Sequence, residues 1–426
     1  MNSKIDKNSI DSLIKQTVFG ADVNQKAENY RAIREAALRL GAFPASIDSL
    51  YRASGKWLFH GITVPAVNIR MITYDVAQAL FRAAKKNKVG PFSFEIARSE
   101  IGYTKQPPAE YSACILAAAI KTGYKGPVFI QGDHYQVRRA MYRDNSEGEL
   151  NDIKQLIKDS IEAGFYNIDI DASTLVDISK EDLIEQQAKN SQVTAEMTRY
   201  IRGIEPPGVT VSVGGEIGEI GKGNSTVEDL RAFMSGYLKL LSTGTKGISK
   251  ISVQTGTTHG GVALPDGSIA KVKLDFNTLK DLSKIARDEF GLGGAVQHGA
   301  STLPDEAFDM FPKVETIEVH LATGFQNMVY DSPYFPKNLL ETIHRYLDAN
   351  CANEKKTGET QEQFYYNTRK KAFGEFKKEL WDLPEPILQA ITRDMENRFS
   401  LIFHKLNVIN TDKLIRKYVS SPPTAK

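Results

Sequence analysis

PVFIQGDHYQVRRAMYRDNSEGELNDIKQLIKDSIEAGFYNIDIDAS, residues 127–173, contains a complete strand–helix–strand unit. Its ends, Pro127–Gly132 and Tyr166–Asp171, are short runs rich in Val, Ile and Phe, the pattern of strands covered on both faces. Between them Leu150–Ala163 has the spacing of a helix with one apolar face. The unit repeats in both directions. Upstream lie the strand-like runs Ile62–Arg70 and Pro91–Ala97; downstream lie Val209–Gly214, Lys250–Thr255, Gly294–Gln297 and Thr316–His320. The segments Tyr74–Lys88, Pro108–Thr122, Glu181–Ile201, Val227–Leu241 and Leu274–Phe290 read as the intervening helices. Eight strands alternating with helices over about 260 residues predict an α/β protein of the (β/α)8 TIM-barrel class. An open doubly wound sheet is the competing architecture. No GxGxxG opens a helix, however, and GEIGEIGKG (215–223) has neither the preceding context nor the downstream acid of a dinucleotide site.

Outside the alternation, residues 1–54 read as a helical extension ending in a turn around Gly41–Pro44, and residues 331–426 as a C-terminal helical region, leaving 55–330 for the barrel. The closing SSPPTAK is expected to fray. Over 426 residues, hydrophobic residues make up 41%, charged residues 25%, and the net charge is +2. Basic and acidic residues are interspersed, so neither a nucleic-acid partner nor a membrane surface is expected. Two distant cysteines, Cys114 and Cys351, argue against a disulfide framework and a cysteine metal site. The N-terminal stretch is charged, unlike a signal peptide, and no apolar run spans a bilayer; a cytoplasmic location is expected.

Ionisable residues gather where the strands end. Asn68 ends the first strand, Glu95 the second, Asp133 and His134 the third, and Asp171 the fourth. Glu216, His259, His298 and His320 do the same for the remaining four. Catalytic groups of barrel enzymes come from these strand ends. Four of the seven histidines belong to the set, while His60, His344 and His404 lie elsewhere and read as structural. Three neutral imidazoles with an open fourth position suit catalytic zinc, which must leave room for substrate. Any one of them alone is better explained as a hydrogen-bonded rim residue; the set together favours a functional role. Glycines in TTHGG and QHGA permit close backbone approach to a ligand.

These segments resemble the class II, metal-dependent fructose-bisphosphate aldolases. PAVN (65–68) is similar to the family's first strand, GDH (132–134) to its DH motif, and AGFYNIDIDAS (163–173) to AGF-x-SVMIDGS. GGEIGEIG (214–221) resembles EGELG-x-IGG, GTTHGG (256–261) resembles GTSHG, and QHGAST (297–302) resembles LHGGSG. The blocks follow the family's order across residues 58–327. The resemblance implies zinc, or another divalent metal, on His134, His259 and His298, with Asp133 as the proton-transferring carboxylate. It implies Asp171 and Glu216 as orienting or alternate metal carboxylates. Asn68, Gly260, Gly299, Ser301 and Thr323 are implied as contacts to substrate and its phosphate.

The chain departs from the family at its last strand, where EVHLATG (318–324) stands in place of KINVDTD and puts His320 at a position usually occupied by asparagine. DHY replaces DHG at Tyr135, and the lysine of the loop after His259 is absent. The expected activity is reversible cleavage of a ketose (bis)phosphate to dihydroxyacetone phosphate and an aldehyde. Asp133, Glu216 and His320 are the expected catalytic groups, a small sugar phosphate the expected partner, and a homo-oligomer the expected assembly. A metal-dependent sugar epimerase or isomerase, or a non-catalytic aldolase-like subunit, are the alternatives.

Overall fold

The computed structural model describes residues 5–218, 223–256, 264 and 274–419. Among the described residues are nine parallel strands: β1 (Ala42–Ala45), β2 (Val64–Asn68), β3 (Ser93–Ala97), β4 (Gly126–Gln136), β5 (Asn167–Asp171), β6 (Ser212–Glu216), β7 (Lys250–Val253), β8 (Ala295–Gln297) and β9 (Glu318–Leu321). β2 to β9 each pair with the next, and β9 returns to β2 with Ala66 opposite His320, closing the eight-stranded barrel. The open doubly wound alternative is thereby excluded. Helices Thr73–Lys86, Pro108–Thr122, Ser146–Ala163, Leu183–Ile204, Val227–Leu240 and Phe276–Asp288 lie between the strands.

The ninth strand, β1, falls where the sequence predicts a turn. It pairs with the start of β4, Ala42 opposite Gly126 and Ala45 opposite Phe129, outside the closed circle. A four-residue run containing Pro44 carries no periodicity of its own; pairing with an existing strand makes it one.

β4 runs four residues past the expected Gly132, through Asp133, His134, Tyr135 and Gln136. Against β5 its register is Gly132 to Ile168 and then Tyr135 to Ile170, so a bulge interrupts the ladder at Asp133–His134. His134 carries φ 41°, in the left-handed region that side chains rarely adopt. The bulge also settles Tyr135. Its ring packs over Gly132, where a Cβ would come within 2.4 Å of it, and its hydroxyl meets Ser160 Oγ at 2.5 Å on helix Ser146–Ala163. The larger residue in DHY therefore faces the helical layer and leaves the barrel mouth open.

The terminal helices share the barrel's apolar core: Ile10 and Ile14 at one end of the chain and Phe399, Phe403 and Val408 at the other belong to the same buried cluster. Helix Glu385–Lys405 lies along Thr73–Lys86, with Phe403 against Phe92 and Arg82 paired to Glu396. Among the described residues no helix is long and apolar enough to cross a membrane.

In helix Thr73–Lys86, burial first, and then repulsion by Glu385 and Asp11, push the Asp75 carboxyl up to about 7. A raised carboxyl favours the folded state below the usual carboxylate range, and this contribution is lost as pH rises through about 7. The wild type is therefore expected to lose more stability between pH 5 and pH 8 than Asp75→Asn does. Urea midpoints at the two pH values measure this, and parallel pH dependences would remove the basis for it.

Candidate active site

The C-terminal ends of the strands surround a cavity of about 500 Å3. Asn68, Glu95, Asp133, His134, His298, Gly299, Ser301, His320 and Thr323 all line it, which is most of the predicted set. His259 and Gly260 lie outside the described residues.

Asp133 is buried among three imidazoles. Its Oδ1 is 3.1 Å from His320 Nδ1, 3.9 Å from His134 Nε2 and 4.0 Å from His298 Nδ1. The His134 and His298 rings lie 4.1 Å apart by centroid, as do those of His298 and His320. The predicted carboxylates flank His134, with Asp171 Oδ2 3.3 Å and Glu216 Oε2 3.1 Å from its Nδ1. Asp171 is itself fixed by Ser173 Oγ at 2.6 Å and Gln136 Nε2 at 2.6 Å. Ser252 Oγ lies 3.0 Å from His298 Nε2.

The electrostatics are those of a site built for positive charge. Burial opposes a charged His134, yet Asp133, Glu216 and Asp171 together raise its pKa well above the ordinary imidazole value. Burial, and then repulsion by Asp171, lift Glu216 to about 7. Burial works against a charged Asp171 too, but its bond to His134 wins and holds the carboxyl below its usual value. One atom each from His134, Glu216 and His298 falls within a sphere of mutual distances under 4.8 Å, and Asp133, His298 and His320 form an overlapping group. Two imidazoles converging beside carboxylates are a donor set that fits a divalent metal, with Asp171 and Ser252 orienting the rings.

Among the expected phosphate contacts, Gly299 adopts φ 69°, and Gly324 N donates to Ser301 Oγ at 3.0 Å. A Cβ at Gly324 would stand 2.5 Å from the Ser301 carbonyl, so glycine replaces the family's acid where the two loops touch. Asn68 Nδ2 donates to Glu100 Oε2 at 2.6 Å, and Arg70 pairs with the same carboxylate at 2.6 Å.

Several residues here escape the sequence reading. Arg70, Glu100 and, from the C-terminal region, Lys370 line the cavity. Beneath it, Gln131, Asp169, Lys250 and Glu318 form a buried polar cluster with Tyr51 and His320. The signal for the last group was present. Charged residues inside NIDID, KISV and EVHL stand in strands whose every residue is buried. Lys370 gave no such signal, because it reaches the mouth from outside the barrel.

Residues 56–406 match the family model described as fructose-bisphosphate aldolase class II. The fold is similar to fructose-bisphosphate aldolase from Campylobacter jejuni, 19% identical with TM-score 0.51, over 87% of this chain and 97% of that one. It is also similar to the fructuronate-tagaturonate epimerase UxaE from Cohnella laeviribosi, 11% identical with TM-score 0.58, over 82% of each chain. A probable tagatose 6 phosphate kinase from Sinorhizobium meliloti is 13% identical with TM-score 0.56, over 82% of this chain and 98% of that one. No curated protein matches significantly. At these identities the solved structures speak for the barrel, and the family match spans the barrel and the greater part of the C-terminal region. The chain belongs to the class II fructose-bisphosphate aldolase family.

Proposed function

We propose that the protein is a metal-dependent aldolase that cleaves a ketose phosphate, resembling fructose 1,6-bisphosphate, to dihydroxyacetone phosphate and an aldehyde. What supports this most is a single carboxylate, Asp133, lying within 4.0 Å of three imidazoles at the barrel mouth. His134 and His298, joined by His259 of the GTTHGG motif, would hold zinc or another divalent ion. When bound, that ion supplies Lewis acidity at the ketose carbonyl. Asp133 takes the proton of the hydroxyl on the carbon that becomes the aldehyde, and returns it in the condensation direction. Asp171 and Glu216 hold the His134 ring by Nδ1, and Ser252 holds His298 by Nε2. Backbone amides around Gly299 and the hydroxyls of Ser301 and Thr323 receive a substrate phosphate. A cavity of about 500 Å3 has the size of a site for a small sugar phosphate.

A sugar epimerase is the second reading. It is favoured by the end of β9, where Ala322 and Gly324 leave no carboxylate for sugar hydroxyls. Metal analysis of the purified protein, coupled to a ketose-phosphate screen with a triose-phosphate trap, separates the two. About one divalent ion per chain and trapped triose phosphate are expected. A new epimer without triose phosphate would replace the aldolase by the epimerase, and activity undiminished by chelation would remove both.

A further inference from the structure

Barrel interiors are ordinarily packed with branched aliphatic side chains. Here a line of charged groups runs from the core to the mouth, and every member is buried. Lys250 Nζ on β7 donates to Gln131 Oε1 at 2.9 Å and pairs with Asp169 Oδ2 at 2.9 Å and with Glu318. Glu318 on β9 accepts the Tyr51 hydroxyl on one oxygen, and its other oxygen is 2.6 Å from His320 Nε2. Across the ring, His320 Nδ1 lies 3.1 Å from Asp133 Oδ1 and 3.0 Å from Glu95 Oε2. Both nitrogens of His320 are thus engaged by carboxylates, on opposite edges of the ring. No ring nitrogen is left over to donate to a substrate oxygen.

The arrangement has a mechanical consequence. Asp133 sits in the β4 bulge, next to a residue in a left-handed conformation, where the ladder to β5 is interrupted. An acid/base group loses rate steeply when misplaced by an ångström, so a carboxylate on such a backbone needs a fixed donor. His320 is that donor, and Glu318 and Lys250 keep the ring from turning. Core packing alone does not explain the charges, since buried ion pairs can often be replaced by apolar residues at no loss of stability. We propose that His320 is a positioning residue that fixes the Asp133 carboxylate, anchored from the barrel core by Glu318 and Lys250. The proposal rests on the reading of Asp133 as the acid/base of the aldolase.

A double-mutant cycle on the metal-loaded, full-length protein tests it. His320→Gln is expected to lower kcat by about 30- to 100-fold, leaving KM and metal content near wild type. In an Asp133→Ala background the same change should cost less than about twofold, because the residue it acts through is gone. An equal loss in both backgrounds would make His320 purely structural and overturn the proposal. Should His320→Gln fold poorly, the neutral pair Lys250→Met with Glu318→Gln is read in the same cycle. It removes two opposite charges together, and the same criterion applies. A readout independent of turnover comes from NMR of histidine-labelled protein. The His320 Nδ1–H signal should move in Asp133→Asn, and the Nε2–H signal in Glu318→Gln. Unresponsive signals overturn the clamp even if the protein proves an active aldolase. Responsive signals in a protein that cleaves no ketose phosphate keep the clamp and discard the aldolase.

Discussion

Asp133→Ala is expected to retain its metal and to lose about 10²- to 10⁴-fold in kcat, the range for removing a positioned general acid/base. The separation of metal content from turnover follows from where the residue lies. Asp133 Oδ1 approaches the His134 and His298 rings only to 3.9 and 4.0 Å, while those rings keep Asp171, Glu216 and Ser252 as partners of their own. Losing the carboxylate therefore leaves the donor set standing and removes the group proposed to carry the proton. Asp133→Asn should show a comparable loss, since an amide keeps the shape and the bond to His320 but accepts no proton. Steady-state kinetics with metal quantified in the same samples decides the matter. Near-normal turnover in both variants would move the acid/base role to Glu216.

His298→Ala is expected to be damaged differently, in metal binding before turnover. The ring is buried at the end of β8, packed 4.1 Å from both the His134 and His320 rings, with Ser252 setting its orientation. Changing a residue that merely orients a ligand lowers metal affinity by roughly 10- to 100-fold, and loss of a ligand itself should exceed that. The fold should survive, because the barrel closes through strand pairings in which His298 has no share. Added metal is expected to raise the melting temperature of the wild type and to leave that of His298→Ala unmoved, since a bound ion stabilises only the state that holds it. An unchanged metal-dependent shift in the variant would remove His298 from the ligand set.

The site was legible in proportion to how local its cause is. Asp133, His134, Asp171, Glu216, His298 and His320 could be picked out because a polar residue closing a short apolar strand has few places to go except the barrel mouth. Their partners could not be read in the same way. His320 meets Asp133 across 187 positions of sequence and Lys250 meets Gln131 across 119, and nothing in either neighbourhood specifies the other. The bulge at Asp133–His134 was equally hidden, since the register of β4 is set by β5 and by the ring of Tyr135 seated over Gly132. β1 had no readable pattern because it is a strand only by virtue of β4.

What the sequence by itself determined is the succession of eight strands and their helices, written in runs of β-branched and aromatic residues at one period and amphipathic stretches at another. Each element responds to its own side chains, so a window of a dozen residues is enough to recognise it. It also picked out the ionisable residues that gather at the barrel mouth, through the position of each relative to its strand. The tertiary structure alone decided that the sheet closes, with β9 returning to β2, and that Tyr135 turns outward. It also decided that His320 is enclosed by carboxylates at both nitrogens. Those outcomes depend on which side chains closure brings within hydrogen-bonding distance. That distance is a property of the whole barrel, and no segment carries it alone.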